Sequence, residues 1–233
     1  MDDVDLVLAY HRRTKHHPHR YARSLGYLDW ETQPDPFLRF DGAPTTALSR
    51  GPFPPDPSFS TLDRPAELPG EPLDGDAIAD LLFHAMAISA WKEFEGSRWS
   101  LRCNPSSGNL HPTETYVVAA GIRGEAEAGV FHYRPDEHAL ELRRAVDAEA
   151  LRRLAGDRFL IGLTSIAWRE AWKYGERAFR YVQHDVGHAI AAIAYAAAAL
   201  GADVRAELGV GDAALARLLR TERATGPEAE HVD

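Results

Sequence analysis

Residues 168–201 read WREAWKYGERAFRYVQHDVGHAIAAIAYAAAALG, and their periodicity predicts one long helix from Glu170 to Leu200, ended by Gly201. Trp172, Gly175, Phe179, Val182, Val186, Ile190 and Ile193 recur at three- and four-residue steps, which defines a packed face. Lys173, Arg177, Arg180 and His184 form a cationic stripe beside it. The alanine-rich run from Ala189 to Leu200 is about a dozen residues, well short of the roughly 20 that span a bilayer, so it reads as a core or interface helix.

Working outward, Phe159 to Ser165 reads as a buried strand and Asp147 opens a short helix to about Ala155. Val130 to Tyr133 and Ala139 to Arg143 flank RPDE and predict a β-hairpin, and Tyr116 to Ala120 is a strand closed by Gly121. Leu81, Leu82, Ala85, Ile88 and Trp91 predict a helix from Ala77 to about Phe94, capped by Asp76. Asp3-Val4-Asp5 marks a helix start that runs into the basic segment HRRTKHHPHR. On the C-terminal side, Val204 to Leu208 is a last strand or an extended loop, Asp212 caps a helix to Leu219, and a polar tail occupies about 220–233. The stretch at about 34–73 holds ten of the 15 prolines and is expected to be a surface arm. Strands and helices mixed in this order predict an α+β sandwich, a mostly antiparallel sheet covered by helices.

At 233 residues with 45% hydrophobic content, the chain suits a single domain over 1–233. A formal net charge of -9 argues against a sequence-independent grip on nucleic acid. The lone Cys103 excludes an internal disulfide framework, and Asp2, Asp3 and Asp5 stand where a signal peptide would be basic, so a cytoplasmic location without membrane insertion is expected.

Three segments carry candidate chemistry. His11, Arg12, Arg13, Thr14, Lys15, His16 and His17 offer guanidinium forks, an ammonium and a hydroxyl suited to a terminal phosphate; a solvated basic loop is the plain alternative. Asn104-Pro105-Ser106-Ser107-Gly108-Asn109 combines close backbone approach with donors and acceptors for the edge of a heteroaromatic ring, or is an ordinary turn. Lys173-Tyr174 is a solvated lysine beside an aromatic, or a functional pair in which the lysine lowers the phenol pKa or two proton carriers stand near one reacting group. His184-Asp185-Val186-Gly187-His188 imitates the HExxH zinc signature, but aspartate replaces the glutamate, no third ligand stands at a recognisable spacing, and Arg180 and Lys173 add positive charge; no metal is expected. Cys103 lacks a recognisable partner and reads as inert packing.

Together, YHRRTK at 10–15, Arg102 with PSSGNL at 105–110, Pro112, Glu114 and Tyr116, and KYGERAFRYVQHDVGHAIAAIAYAAAALG at 173–201 resemble the SagB-type (SagB/ThcOx) dehydrogenases of the nitroreductase-like flavoproteins. That group includes azoline oxidases of ribosomal peptide biosynthesis. The resemblance implies an FMN-dependent oxidoreductase, with FMN at the interface of a homodimer built around the long helix. It assigns Arg12, Thr14 and His16 to the phosphate, Pro105, Ser106, Ser107 and Asn109 to the isoalloxazine, and, more loosely, Glu207, Leu208 and Gly209 to the backbone beside the reactive flavin nitrogen. Lys173 and Tyr174 match the pair implicated in proton abstraction by azoline-oxidising members.

The implied substrate is a small heterocycle, a peptide-borne azoline or an electron-poor acceptor. The family fold usually closes with a further strand and C-terminal extension, whereas TERATGPEAEHVD at 221–233 is polar, so that strand is expected to be missing. Related sequences also occur as tandem units, and Glu228-Ala229-Glu230-His231 resembles the point where a unit would continue. The alternative function is therefore a flavin-free, non-catalytic scaffold or half-domain that keeps the fold and the dimer face.

Overall fold

The computed structural model describes residues 2–51, 59–62, 75–121, 128–156, 158–222 and 225–233. Helix α1 (Asp3–Thr14) is capped by Asp2, whose carboxylate accepts from Asp5 N at 2.8 Å; acids in its first turn and His11, Arg12 and Arg13 in its last suit the helix dipole. Within the proline-rich arm, β1 (Thr45–Ala47) pairs with the sheet edge, and the arm's remaining prolines at 52–57 and 65–72 lie outside the described residues.

Helix α2 (Gly75–Ala85) is shorter than its periodicity predicts, and Ile88 and Trp91 lie instead in a hairpin of β2 (Ile88–Phe94) and β3 (Ser97–Arg102). The Leu82 carbonyl accepts from both Met86 N and Ala87 N, which ends the helix. Glu95 and Gly96 then turn at positive φ (48° and 81°), the two-residue geometry that matches strand twist. The β-branched and aromatic residues after Ala85 favour the strand over continued helix.

β4 (Thr113–Ala119), β5 (Gly129–Arg134), β6 (Ala139–Ala145), β7 (Leu160–Ser165) and β8 (His231–Val232) join β1 in an antiparallel sheet of order β1-β6-β5-β4-β7-β8. Every residue of β4 is buried, as expected for a central strand covered on both faces. Alternation along it divides the core. Val117 and Ala119 pack with Phe131, Leu140 and Leu163 against Ile78 and Leu82 of α2 and against Val186, Ala189 and Ile193 of α5 (Ala178–Ala199). Tyr116 and Val118 pack on the opposite face with Val130 and with Leu219 of α6 (Asp212–Leu219); Leu151 of α3 (Ala148–Ala155) joins them. Asp147 caps α3, its carboxylate accepting from Ala150 N.

The predicted long helix is interrupted. α4 (Ala167–Tyr174) stops at Gly175, φ +55°, a 3-10 turn covers Gly175–Arg177, and α5 follows. The break redirects the chain so that α4 reaches the 105–109 turn at the end of the sheet. Val204–Leu208 is an exposed irregular loop and not a strand. The expectation that a closing strand is missing is corrected: Thr164 pairs with Val232 and Ser165 with His231. Three acidic side chains fasten this segment. Glu230 accepts from the hydroxyls of Tyr116 (2.8 Å) and Thr164 (2.6 Å), Asp233 accepts from Ser165 Oγ at 2.6 Å, and Glu228 accepts from Trp168 Nε1 at 2.7 Å. The polar composition of the tail therefore conceals a strand held by side-chain hydrogen bonds in place of apolar burial. Among the described residues no helix is long and apolar enough to cross a membrane.

Candidate functional site

The 105–109 turn is built by its own polar groups. Ser106 Oγ accepts from His111 N at 2.8 Å, Asn109 Nδ2 donates to Ser100 O at 2.9 Å, and Asn109 Oδ1 lies 2.9 Å from His111 Nε2. His111 is buried, and burial, with the nearby Arg102 cation, lowers its pKa to about 2; the ring is neutral and its Nε2 donates to Asn109. Gly108, Asn109 and His111 all have positive φ (63°, 61° and 49°). Ser106 and Asn109 therefore shape the turn, and the surface it offers outward is made by Pro105 and Gly108, both exposed.

Lys173 and Tyr174 converge on this turn. A Cβ placed on Gly108 would lie 2.6 Å from Tyr174 Oη and 3.0 Å from Lys173 Nζ, so φ favours the glycine and a methyl there would displace the ends of these two side chains. Tyr174 is half-buried and packs on Tyr181, ring centroids 4.3 Å apart. Burial, then the carboxyls of Glu170 and Asp185, hold its phenol above the ordinary value. The phenol is raised and not lowered, contrary to the electrostatic effect expected of the lysine, so Tyr174 is a neutral donor with Lys173 Nζ beside it at the turn.

Two carboxyls beneath this pair were not recognised as site residues in the sequence. Asp185 is buried on α5 and accepts from both Ser107 N and Ser107 Oγ at 2.9 Å, fastening the turn to the helix. Its place in the HDVGH stretch suggested a zinc motif; the fold uses it as an anchor. Glu170 is fully buried with no hydrogen-bond partner at either oxygen, and burial first, then Asp185, raises its pKa to about 9. The only prior signal was its position one helical turn before Lys173. Among the described residues no group of three or more His, Cys, Asp or Glu side chains could hold a metal ion.

The phosphate candidates divide. Arg12 is exposed at the end of α1. His16 Nδ1 accepts from Ala22 N at 3.1 Å, and its Nε2 meets Arg177 Nη1. Thr14 is fully buried: its hydroxyl donates to Tyr10 O at 2.8 Å and accepts from Arg180 Nη2 at 3.0 Å. Thr14 therefore joins α1 to α5 and has no free donor. Arg177 Nε and Arg180 Nε are buried without partners. A cleft of about 170 Å³, lined by Arg23, Ser24, Leu25, Tyr174, Gly175 and Glu176, opens beside the Lys173–Tyr174 pair. Glu207, Leu208 and Gly209 lie elsewhere in an exposed loop, where Glu207 pairs with Arg205 at 3.0 Å; the structure does not join them to either cluster. Cys103 donates to Phe83 O at 3.5 Å, and burial raises its thiol pKa, as suits inert packing.

A buried ionic chain supports α4 from behind. Arg169 Nη1 meets Glu114 Oε1 at 2.6 Å, Glu114 Oε2 meets His132 Nε2 at 3.0 Å, and His132 Nδ1 meets Glu141 Oε2 at 3.0 Å. Burial alone would raise the Glu114 pKa, but Arg169, His132 and Arg102 outweigh it and bring it down to about 2. Burial likewise opposes the charged form of His132, yet its two carboxylate partners raise its pKa.

The Nitroreductase family model matches residues 70–228. MJ1384 of Methanocaldococcus jannaschii, which carries a provisional nitroreductase name, is 29% identical over 140 residues, covering 56% of this chain and 66% of the relative. The trifolitoxin-processing protein TfxB of Rhizobium leguminosarum is 33% identical over 151 residues, covering 59% of this chain and 40% of the relative. Among solved structures, one from Anabaena variabilis, also provisionally named a nitroreductase, superposes with a TM-score of 0.70 at 26% identity, covering 97% of this chain but 44% of that one. The Escherichia coli microcin synthetase complex McbBCD with truncated pro-MccB17 bound matches with a TM-score of 0.55 at 19% identity over 100% of this chain and 91% of that one, a likeness of fold. The matches thus span less than two thirds of the lengths of both curated relatives.

Proposed function

We propose that this chain, which belongs to the nitroreductase family, is an FMN-dependent oxidoreductase of the SagB type, acting on a small heterocycle, an azoline in a modified peptide or an electron-poor acceptor. The observation that carries the reading is the approach of Lys173 Nζ and Tyr174 Oη to the Gly108 backbone at the centre of the Pro105–Asn109 turn. Pairs separated by more than 60 residues in sequence meet there, and the turn is fixed by buried Asp185 before any ligand arrives.

The donor set suits FMN. Arg177 Nε and Arg180 Nε are buried without partners and the His16 ring meets Arg177, which fits a phosphate dianion, with Arg12 exposed at the end of α1 as a further cation. Thr14 contributes by positioning Arg180. The outward face of Pro105 and Gly108 accepts a flat ring, while Ser106, Ser107 and Asn109 hold the backbone that would meet it. Bound there, FMN supplies hydride transfer. Lys173 takes or returns a proton at the substrate, and neutral Tyr174 donates a hydrogen bond beside it.

A cleft of about 170 Å³ is smaller than the roughly 300–1,000 Å³ of ordinary ligand sites, which supports a site completed by a second copy. The outer face of α5, with Phe179, Ile190 and Tyr195 exposed among small residues, suits that homodimer, and the Glu207–Gly209 loop would then enter from the partner. The name of TfxB and the peptide in the McbBCD complex support a modified-peptide substrate. The flavin-free scaffold reading drew in part on a missing closing strand, and the pairing of β8 with β7 weighs against that part of it.

The test is Lys173→Ala with FMN bound and with candidate azoline peptides and nitroaromatic acceptors. The expected result is unchanged FMN content with loss of substrate-dependent change in the flavin spectrum. A protein that cannot be reconstituted with FMN, or unchanged turnover in the variant, overturns the reading.

A further inference from the structure

Between Leu6 and Leu28 stand Arg12, Arg13, Lys15, Arg20 and Arg23 and no aspartate or glutamate, in a chain whose formal net charge is -9. A cleft with a local excess of one sign draws the opposite sign from solution. Arg23 stands at such a cleft, the one of about 170 Å³ that it lines with Ser24, Leu25, Tyr174, Gly175 and Glu176.

The loop carrying Arg23 is seated before any ligand arrives. Ala22 N donates to His16 Nδ1 at 3.1 Å on one side of it, and Trp172 Nε1 donates to Asp29 O at 3.0 Å on the other. Between these fastenings Leu25 packs on Gly175, where a Cβ would come 3.0 Å from Leu25 Cδ2. The break between α4 and α5 that follows Tyr174 therefore also seats this loop.

The polar groups of the lining are unequally occupied. Glu176, the one acid among them, pairs with Arg13 at 3.0 Å, and its carbonyl accepts from the Tyr10 hydroxyl at 2.8 Å. Ser24 Oγ accepts from Gly26 N at 3.1 Å, which leaves its O–H to donate. Arg23 is exposed and has no hydrogen-bond or acid partner among the described residues. A guanidinium fork beside a hydroxyl donor, neither with an acceptor, is a donor set for a carboxylate. The cofactor phosphate has a separate set in Arg177, Arg180 and His16.

We propose, resting on the reading of Lys173 and Tyr174 as the substrate end of the site, that this cleft is a specificity subsite in which Arg23 and Ser24 hold a carboxylate carried by the substrate. Its volume admits one small group and not a whole substrate, so the reacting ring stays over the Pro105–Asn109 turn while its acid group is anchored beside Tyr174. Heterocyclic or nitroaromatic acids are thereby preferred over their neutral amides. Arg23 sets specificity and takes no part in proton or hydride transfer.

The test uses the full chain with FMN bound, titrated with benzoate or benzamide, two rings that differ in charge, and read by the change in flavin absorption. Wild type is expected to bind benzoate about tenfold tighter than benzamide; Arg23→Gln removes that preference, Arg23→Lys keeps most of it, and FMN affinity is the same in all three. Equal affinity for the two probes in wild type overturns the proposal, as does a preference that survives Arg23→Gln. A fall in FMN affinity in Arg23→Gln as large as the fall for benzoate assigns the cleft to the cofactor phosphate and likewise overturns it. Arginine Nε NMR of the flavin-free chain keeps this outcome separate from the flavoenzyme reading. Benzoate that shifts Arg23 in a chain that cannot be reconstituted with FMN upholds the carboxylate site and sinks that reading, whereas FMN binding with no effect of benzoate on Arg23 does the reverse.

Discussion

Arg169 Nη1 and Glu114 Oε1 form an ion pair at 2.6 Å with both side chains about 1% exposed, joining α4 to the central strand β4. Removing one partner leaves an uncompensated charge in the interior. Glu114→Ala is expected to cost about 3–5 kcal/mol of folding stability, read by chemical denaturation. A loss below about 1 kcal/mol would mean the pair is hydrated in solution.

Gly108→Ala tests the approach of the Lys173–Tyr174 pair. Its φ of +63° costs an L-residue about 1–2 kcal/mol, and the new methyl meets Tyr174 Oη and Lys173 Nζ. Both side chains must withdraw. The expected outcome is a modest stability loss with a much larger fall in substrate-dependent flavin reduction; full activity would show that the pair need not touch the turn.

Thr14 and Arg12 separate positioning from direct contact. Thr14→Val removes the hydroxyl that bridges Tyr10 O and Arg180, so it should cost about 1–3 kcal/mol of stability. Arg12→Ala, at an exposed position, should leave the unfolding midpoint unchanged and weaken FMN about tenfold, measured by fluorescence titration. The opposite pattern would exchange their roles.

Glu170 makes stability depend on pH with a defined sign. Its folded pKa of about 9 lies above the ordinary 4.5, so between those values the folded chain holds a proton that the unfolded chain has lost. Stability contributed by the protonated form is complete below about pH 4.5 and falls as pH rises toward 9. Glu170→Gln removes that slope. Thermal unfolding is expected to show the variant several degrees more stable than wild type at pH 8 and nearly equal at pH 5; a pH-independent difference would place the carboxyl in contact with water.

Much of the scaffold was legible because burial leaves periodic marks. The β5–β6 hairpin, β7, α3 with its Asp147 cap, and burial of Val182, Val186 and Ile193 on α5 follow from alternation and helical spacing, whereas Phe179 and Ile190, expected on the same packed face, are exposed. The Ala77–Phe94 expectation failed past Ala85 because a hairpin carrying Ile88 and Trp91 imitates helical spacing over a few residues. Gly175 looked like one more small residue on a helix face, and only its positive φ shows it as a break. The closing strand was hidden for a different reason: β8 is held by Glu230 and Asp233 accepting from hydroxyls, a mode that leaves no apolar pattern. Lys173, Tyr174 and the 105–109 turn were visible as motifs, whereas Glu170 and Asp185 acquire meaning only from partners that folding supplies or withholds.

The fastening of α4 also bears on the order in which the molecule assembles. One guanidinium, that of Arg169, contacts Pro36 O, 133 residues upstream, and Glu228, 59 residues downstream. Contacts of such separation carry a large loop-closure entropy and are typically late to form. The helix presenting Lys173 and Tyr174 thus reaches its final seat only after an early and a late segment of the chain have both arrived, so a nascent chain lacking residues 228–233 holds a nearly complete sheet before it holds a working site.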